Sequence, residues 1–292
     1  MPINSSASDV VELFGFSTCE VADWPTIVSQ RACRFENKPC YKTRKSDSST
    51  AIGTCTVRIG KDGLPLIICP KRLLEGGKVF ADCIHLLSRH QPGNQLHLVS
   101  EVSIPGGSVD YFLVSEYKGR PIDFVGVEFQ TMDTTGTVWP ARQKFLRSVG
   151  MVAPVPSADA GKSYGVNWKM TAKTILVQLH HKAETFEAIG RNLVLVVQVP
   201  FMDYMSREFN FGHLTNPSVP NDAMHFHAYD AVESGTGMSL EFHSRLSTSS
   251  AGISQALNLN VTRIVEEATI FKALAAKMSN HTKWSPVSSQ VA

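Results

Sequence analysis

The sequence predicts an α/β protein with a mixed central sheet flanked by helices, and three observations support this prediction. Strand-like segments follow one another at 95–104, 109–117 and 122–130, separated by turn residues. A long amphipathic helix is predicted at about 166–189, with Gly190 at its end. The nearly all-apolar run at 193–199 is typical of a strand buried on both faces.

The remaining elements are predicted from caps, breakers and periodicity. A short helix at 8–15 would begin at Ser8 or Asp9 and end at Gly15. Apolar residues recur at helical spacing over 77–90, the first substantial helix. The other predictions are an exposed loop at 152–163, strands at 223–231 and 238–244, a helix at 263–278 and a disordered tail at 280–292.

Size and composition are those of an ordinary globular protein. The chain has 292 residues, of which 43% are hydrophobic and 18% charged, so it can bury a full-size core. None of its apolar runs approaches the roughly 20 residues that span a bilayer. The N-terminus lacks the basic and apolar regions of a signal peptide, which predicts a cytoplasmic protein without membrane contact.

Positive charge is concentrated in one segment. Residues 30–75 contain ten Lys or Arg against four acidic residues, whereas the rest of the chain contains 18 against 22. A basic patch on a neutral or acidic body is an electrostatic footprint for nucleic acid. A solvated basic surface is the alternative interpretation.

Carboxylates occur on three consecutive predicted strands. Glu128 and Gln130 are two residues apart, so their side chains lie on the same face of a strand. The preceding strand contains Asp110 and the strand before it contains Glu101. If they converge, these groups could hold Mg²⁺ and support metal-assisted phosphodiester hydrolysis. Acidic residues that only flank strands are the alternative.

Four of the six cysteines fall in the basic segment. Cys33, Cys40, Cys55 and Cys69 are separated by six, fourteen and thirteen residues, and Cys19 and Cys83 lie outside this set. Clustered cysteines in a cytosolic chain favour a metal site over disulfides. Tetrahedral thiolate ligation admits either Zn²⁺ or Fe, and small buried thiols are the alternative.

Several short motifs resemble those of the NotI restriction endonuclease family, whose fold is the PD-(D/E)xK nuclease fold. The set Glu101, Asp110, Glu128-x-Gln130 is similar to the catalytic motif of that fold. Further similarities to the family lie at Cys69-Pro70-Lys71-Arg72, Ser108-Val109-Asp110-Tyr111, the run from Val127 to Asp133, and Asn167 through Ala183. The four cysteines also match the family's tetra-cysteine module.

This resemblance implies a type II restriction endonuclease that cuts a specific double-stranded DNA site, a GC-rich palindrome, as a homodimer. It implies Mg²⁺ at Asp110 and Glu128, catalytic roles for Glu101 and Gln130, and iron at the cysteines. Gln130 replaces the lysine of the general motif, so it can position water but adds no positive charge. The implied domains are an N-terminal helical arm (1–30), a four-cysteine module (31–75), an endonuclease core (76–279) and a tail (280–292).

Two other functions remain open from the residues alone. One is a non-enzymatic, metal-stabilised DNA-binding protein, and the other is a nuclease of a non-restriction type. Weaker candidate residues have bland interpretations. His180 and His181, with Lys169, Lys173 and Lys182, could contact phosphate or form a solvated helix face. Trp139, Arg142, Lys144 and Arg147 could reach a DNA groove, and His213, His225 and His227 could bind metal but fit polar strand positions.

Overall fold

A small sheet and two short two-stranded units form the N-terminal part of the protein. The computed structural model describes residues 9–151, 164–234, 237–259, 272 and 274–277. The sheet has the strand order β2-β1-β7-β8. The elements of this part are β1 Val10–Leu13, β2 Phe16–Ser17, α1 Trp24–Gln30, β3 Ala32–Cys33, β4 Lys38–Pro39, β5 Thr43–Arg44, β6 Asp47–Ala51, β7 Thr54–Ile59 and β8 Leu64–Ile67.

The predicted helix at 8–15 is wrong, because its described part contains strand β1 and a turn. All four residues of β1 are buried, and the strand pairs antiparallel with β7. Burial on both faces explains the run of Val10, Val11 and Leu13, which a short capped helix would have left partly exposed. The pairing also joins the start of the chain to the cysteine segment.

Short helical turns connect the N-terminal part to the central sheet. They are a 3₁₀ helix at Pro70–Gly77, helix α2 at Lys78–Ala81 and a second 3₁₀ helix at Ile84–Leu86. The single helix predicted at 77–90 is therefore much shorter than expected. Most of its apolar residues are nevertheless buried, including Val79, Phe80, Cys83 and Leu87, so the periodicity marked most of the buried face correctly, whereas Ile84 is exposed.

A six-stranded mixed sheet forms the centre of the molecule, with the strand order β16-β15-β14-β11-β10-β9. Strands β9, β10 and β11 form the predicted antiparallel meander, β11, β14 and β15 run parallel, and β16 is antiparallel to β15. The bounds are β9 Gln95–Ile104, β10 Gly107–Tyr117, β11 Arg120–Gln130, β14 Asn192–Gln198, β15 Met224–Ser234 and β16 Gly237–Thr248. A separate hairpin pairs β12 Thr134–Gly136 with β13 Tyr164–Val166.

Further helices lie between or after these strands: α3 Trp139–Ser148, α4 Trp168–Ala188, α5 Val199–Glu208 and α6 Ser250–Ala256. Helix α4 is the long helix that the sequence predicts, and the side chain of Asn167 caps its start by accepting a hydrogen bond from the Met170 amide at 3.2 Å. Among the described residues, none of the helices is both long and apolar enough to cross a membrane.

The central sheet is covered on both faces. On one face, Phe112, Leu193 and Leu195 pack with residues of α4, α5 and α6, including Leu179 and Phe201. On the other face, the α2 region packs against residues of β10, β11, β14 and β15. This layering confirms an α/β fold with a mixed central sheet. The predicted loop at 152–163, the tail at 280–292 and nearly all of the predicted helix at 263–278 lie outside the described residues.

Candidate active site

Two carboxylates lie side by side where strands β10 and β11 separate. The paired register of these strands begins at Tyr111 and Val127, so Asp110 and Glu128 lie just beyond the paired region. There the Asp110 carboxylate accepts a hydrogen bond from the Phe129 amide at 2.8 Å. This amide lies beyond the paired part of β10 and β11, so the carboxylate takes the place of a backbone acceptor. Strand alternation places both side chains on the sheet face that packs against α4.

Glu128 lies in surroundings that favour its neutral form. Burial raises the pKa of this carboxyl to about 7, a hydrogen bond from Lys182 acts in the opposite direction, and the nearby charge of Asp110 raises the pKa further. The hydrogen bond from the Phe129 amide holds the Asp110 carboxylate beside the residue that follows Glu128, so the two carboxylates are close enough to interact. Carboxylates arranged in this way are relieved of their repulsion by a bound cation.

Lys182 brings a positive charge into this pair. Its Nζ donates to Glu128 Oε1 at 2.6 Å, and both side chains are less than 10% exposed. The prediction of a solvated helix face is therefore wrong for Lys182. At Gly107 (φ +133°) an added Cβ would lie 3.1 Å from Lys182 Cε, so glycine leaves room for the lysine stem.

The position of Lys182 in the sequence indicated that this residue is buried, although lysine is usually exposed. The buried positions Ile175, Leu179, Lys182 and Phe186 follow one another by three or four residues, which is the spacing of one helix face. The lysine occupies a core position of that face. A charged residue in such a position requires a buried partner.

Gln130 and Glu101 take different places from the carboxylate pair. Half-buried Gln130 ends β11, and its amide nitrogen donates to the Thr131 carbonyl at 2.6 Å. Glu101 is exposed and has a left-handed backbone (φ 57°), at a point where the β9–β10 register passes from Val102 to Ser100. The structure thus brings Asp110 and Glu128 together with Lys182, whereas none of the described contacts joins Glu101 to them.

The four cysteines of the basic segment interact electrostatically. A hydrogen bond from the Cys55 thiol lowers the pKa of Cys69 to about 6, with further help from Lys42 and from backbone amides. Burial raises the pKa of Cys33 and of Cys40, and the charge of Cys69 raises both further. These thiols therefore share one neighbourhood.

The compact four-thiol cluster that the sequence predicts is not present among the described residues. Groups whose ligand atoms all lie within 4.8 Å of one another do not include these cysteines. A closed zinc site would hold its sulfur atoms about 3.8 Å apart. Instead, Cys40 Sγ lies 3.9 Å from the Lys42 carbonyl oxygen and Cys55 Sγ lies 3.4 Å from the Gly53 carbonyl oxygen, so these two sulfur atoms lie beside separate backbone acceptors.

The basic segment offers less free charge than its composition suggests. Arg72 is completely buried and pairs with Glu12 and Glu75. Arg58 pairs with Glu233, and Lys71 pairs with Glu36 at 2.9 Å. Three of the ten basic residues thus hold the fold together.

The structure also places the remaining basic and histidine candidates that the sequence suggested. Arg142 is buried and donates to the carbonyls of Ile52 and Ala51, so it supports the core and does not face a DNA groove. His225 and His227 are completely buried, and burial lowers their pKa to about 4 and about 3. His213 binds the Gly252 carbonyl at 2.9 Å. Other members of these groups, Lys144 and Arg147, are exposed.

A comparison with known protein families gives a match for this chain. The family model described as Restriction endonuclease NotI matches residues 28–231, which is more than half of the chain. The matched range contains both carboxylates, Lys182 and the four cysteines. A comparison with curated proteins gives no match.

Proposed function

This chain belongs to the NotI restriction endonuclease family, and from that premise we propose that Asp110, Glu128 and Lys182 form the catalytic centre of a Mg²⁺-dependent enzyme. Membership identifies the protein as a site-specific DNA endonuclease of the type II restriction class, a hydrolase acting on double-stranded DNA. The observation that carries the proposal is the buried contact between Lys182 and Glu128 beside Asp110.

The donor set fits a hard dication. Mg²⁺ is usually bound by one or two carboxylates together with substrate phosphate and water, and Asp110 and Glu128 supply two adjacent carboxylates. When bound, the ion would polarise the scissile phosphate and lower the pKa of the attacking water. The raised pKa of Glu128, about 7, is a further reason to place a cation here, because a cation favours the ionised carboxylate.

The side chains around the carboxylates have separable roles in this proposal. Lys182 favours the ionised form of Glu128 through the hydrogen bond at Oε1, which lowers the pKa of that carboxyl, and contributes positive charge close to the reacting phosphate. It thereby supplies the charge that the amide of Gln130 lacks. Gln130, at the end of β11, orients the attacking water by hydrogen bonds. Glu101 lies on the exposed rim and has at most a supporting role.

We extend the proposal to a structural metal held by Cys33, Cys40, Cys55 and Cys69, whose binding would have to draw the four sulfur atoms closer together than they lie in this structure. Support comes from the donor type, since thiolates select zinc or iron, and from the low pKa of Cys69, about 6, which favours a thiolate. Iron is the choice that the family resemblance favours. The energy of binding such an ion contributes directly to folding of the segment.

The substrate and assembly complete the proposal. The recognition site would be a GC-rich palindrome, as the family resemblance implies. A palindrome presents the same half-site twice, so two copies of the chain related by a two-fold axis match its symmetry. The protein would then act as a homodimer.

Cleavage of a plasmid tests the proposal directly. Purified protein with Mg²⁺ should give discrete bands from plasmid DNA, and EDTA should stop the reaction until Mg²⁺ is added back. The variant Asp110→Asn should lose cleavage but retain specific DNA binding in a mobility-shift assay. Asp203→Asn, which removes an exposed carboxylate of α5, is the matched control and should cut normally.

Other results would select the alternatives. A smear of fragments indicates a nonspecific nuclease, and specific binding without cleavage indicates a DNA-binding protein. Normal cleavage by Asp110→Asn would show that the catalytic centre lies elsewhere. Mapping the ends of discrete bands gives the recognition site and the cut position together.

A further inference from the structure

We infer that His180, His181 and Glu184 on the outer side of α4 form a second, transition-metal site. In the described part of the chain, these three residues are the group of ligand atoms that lie within 4.8 Å of one another. The Nδ1 atoms of His180 and His181 lie 3.8 and 3.9 Å from the same oxygen, Glu184 Oε2. The two imidazole rings are nearly perpendicular, at 87°.

These separations are close to those of a loaded site. Nitrogen and oxygen ligands at 2.0–2.2 Å from a tetrahedral metal lie about 3.4 Å from one another. The side chains of His181 and Glu184 are 63% and 55% exposed, so small rotations can close the difference of a few tenths of an ångström. Their exposure also leaves room for water to complete the coordination.

A hydrogen-bond chain prepares His180 for this role. Its Nε2 is hydrogen-bonded to the Ser254 hydroxyl, which in turn lies within hydrogen-bond distance of the Ser250 carbonyl. If Ser254 donates to that carbonyl, Nε2 of His180 carries the proton and Nδ1 presents its lone pair towards Glu184. Such orienting partners are typical of metal-binding histidines.

The donor set defines the class of ligand. Two imidazoles and one carboxylate favour borderline dications such as Zn²⁺, Ni²⁺ or Cu²⁺, whereas Mg²⁺ prefers a set of oxygen ligands. The site is separate from the carboxylate centre, because Lys182 points to the buried face of α4 and these ligands do not. Binding would clamp one turn of the helix.

Isothermal titration calorimetry of the protein with NiCl₂, in the absence of DNA, tests the inference. Wild-type protein should bind one more Ni²⁺ equivalent than His181→Ala. His97→Ala is the matched control, because His97 approaches a single carboxylate, Glu116, at 3.3 Å. It should bind Ni²⁺ like the wild type, and all variants retain the same cysteines.

Two further variants test the geometry. Glu184→Gln should weaken binding, and Ser254→Ala should weaken it about tenfold by releasing His180. Equal stoichiometry and affinity in the wild type and His181→Ala would overturn the inference. Unchanged affinity in Ser254→Ala would overturn the orienting role of the serine. Circular dichroism checks that each variant is folded.

Discussion

At the scale of single residues, the pKa of Glu128 sets the pH dependence of the proposed centre. A carboxyl whose pKa is raised to about 7 is mainly neutral below that pH and ionised above it. Mg²⁺ binds the ionised form, so metal affinity and cleavage should rise as the pH increases through about 7. Cleavage rates measured from pH 5.5 to 8.5 at fixed low Mg²⁺ check this prediction. A flat profile would contradict it.

Lys182 should be as important as the carboxylates. Lys182→Met keeps most of the side-chain volume but removes the charge beside Glu128, and cleavage should fall about 100-fold or more. Because Lys182 lowers the pKa of Glu128, any residual activity should also require a higher pH. Lys173→Met, an exposed change on the same helix, is the control and should leave the cleavage rate unchanged.

A role for Lys182 in folding alone would give a different result. In that case the variant would lose stability, and its residual cleavage would keep the wild-type pH profile. The two roles are therefore separated by measuring the pH profile and the denaturation midpoint on the same preparation.

At the scale of elements, the start of α4 contributes to stability through one side chain. Asn167→Ala removes the hydrogen bond to the Met170 amide and should lower the free energy of unfolding by about 1 kcal/mol. Urea denaturation followed by circular dichroism measures this change. Thr174→Ala, at an exposed position within the helix, should change stability much less, and equal effects would argue against the cap.

The distance between α4 and the sheet depends on Gly126. A Cβ added at this position of β11 would lie 2.4 Å from the Phe186 ring, far inside normal contact distance. Gly126→Ala should therefore displace the helix and cost about 1–3 kcal/mol of stability. Because Lys182 lies on the same helix face as Phe186, cleavage should fall as well. Gly126→Ala/Phe186→Leu makes space for the new methyl group and should recover part of both losses.

At the scale of the whole molecule, Arg72 joins three distant parts of the chain. Its guanidinium binds Glu12 of β1, Glu75 and the Met238 carbonyl of β16, and the residue is completely buried. Arg72→Met should cost about 3–5 kcal/mol, because it leaves Glu12 buried without its partner. Thermal unfolding measures the loss. Lys38→Met removes an exposed charge in the same segment and should be nearly neutral.

The sequence predicted those strands and helices whose apolar residues recur at a regular spacing within the element itself. Strands β9, β10, β11 and β14 and helix α4 follow their hydrophobic patterns closely, and alternation along β11 placed Glu128 on the correct face. Strand β1 was missed because its pairing with β7 is a contact between residues about 45 positions apart. Lys182 was missed for a similar reason, since its partner Glu128 lies 54 positions away.

The cysteine segment shows a further limit of sequence patterns. Spacing indicated that four thiols share a region, but the positions of their sulfur atoms depend on several short strands and on the carbonyls they contact. The predicted functional residues were therefore identified by type and segment more reliably than by geometry. Helices α3, α5 and α6 were not predicted, since each is short and its apolar face is completed by residues from other elements.

The placement of the ammonium group on α4 has an evolutionary consequence. A strand position that no longer has to supply positive charge can carry a neutral side chain that orients water, provided that the helix retains the charge. Across homologous sequences, positions 130 and 182 should therefore change together: an amide at 130 should accompany lysine at 182, and lysine at 130 should release 182 to an apolar residue. The double variant Gln130→Lys/Lys182→Met should cut DNA faster than Lys182→Met alone. If the losses of cleavage rate in Gln130→Lys and in Lys182→Met simply add in the double variant, the two positions are not interchangeable.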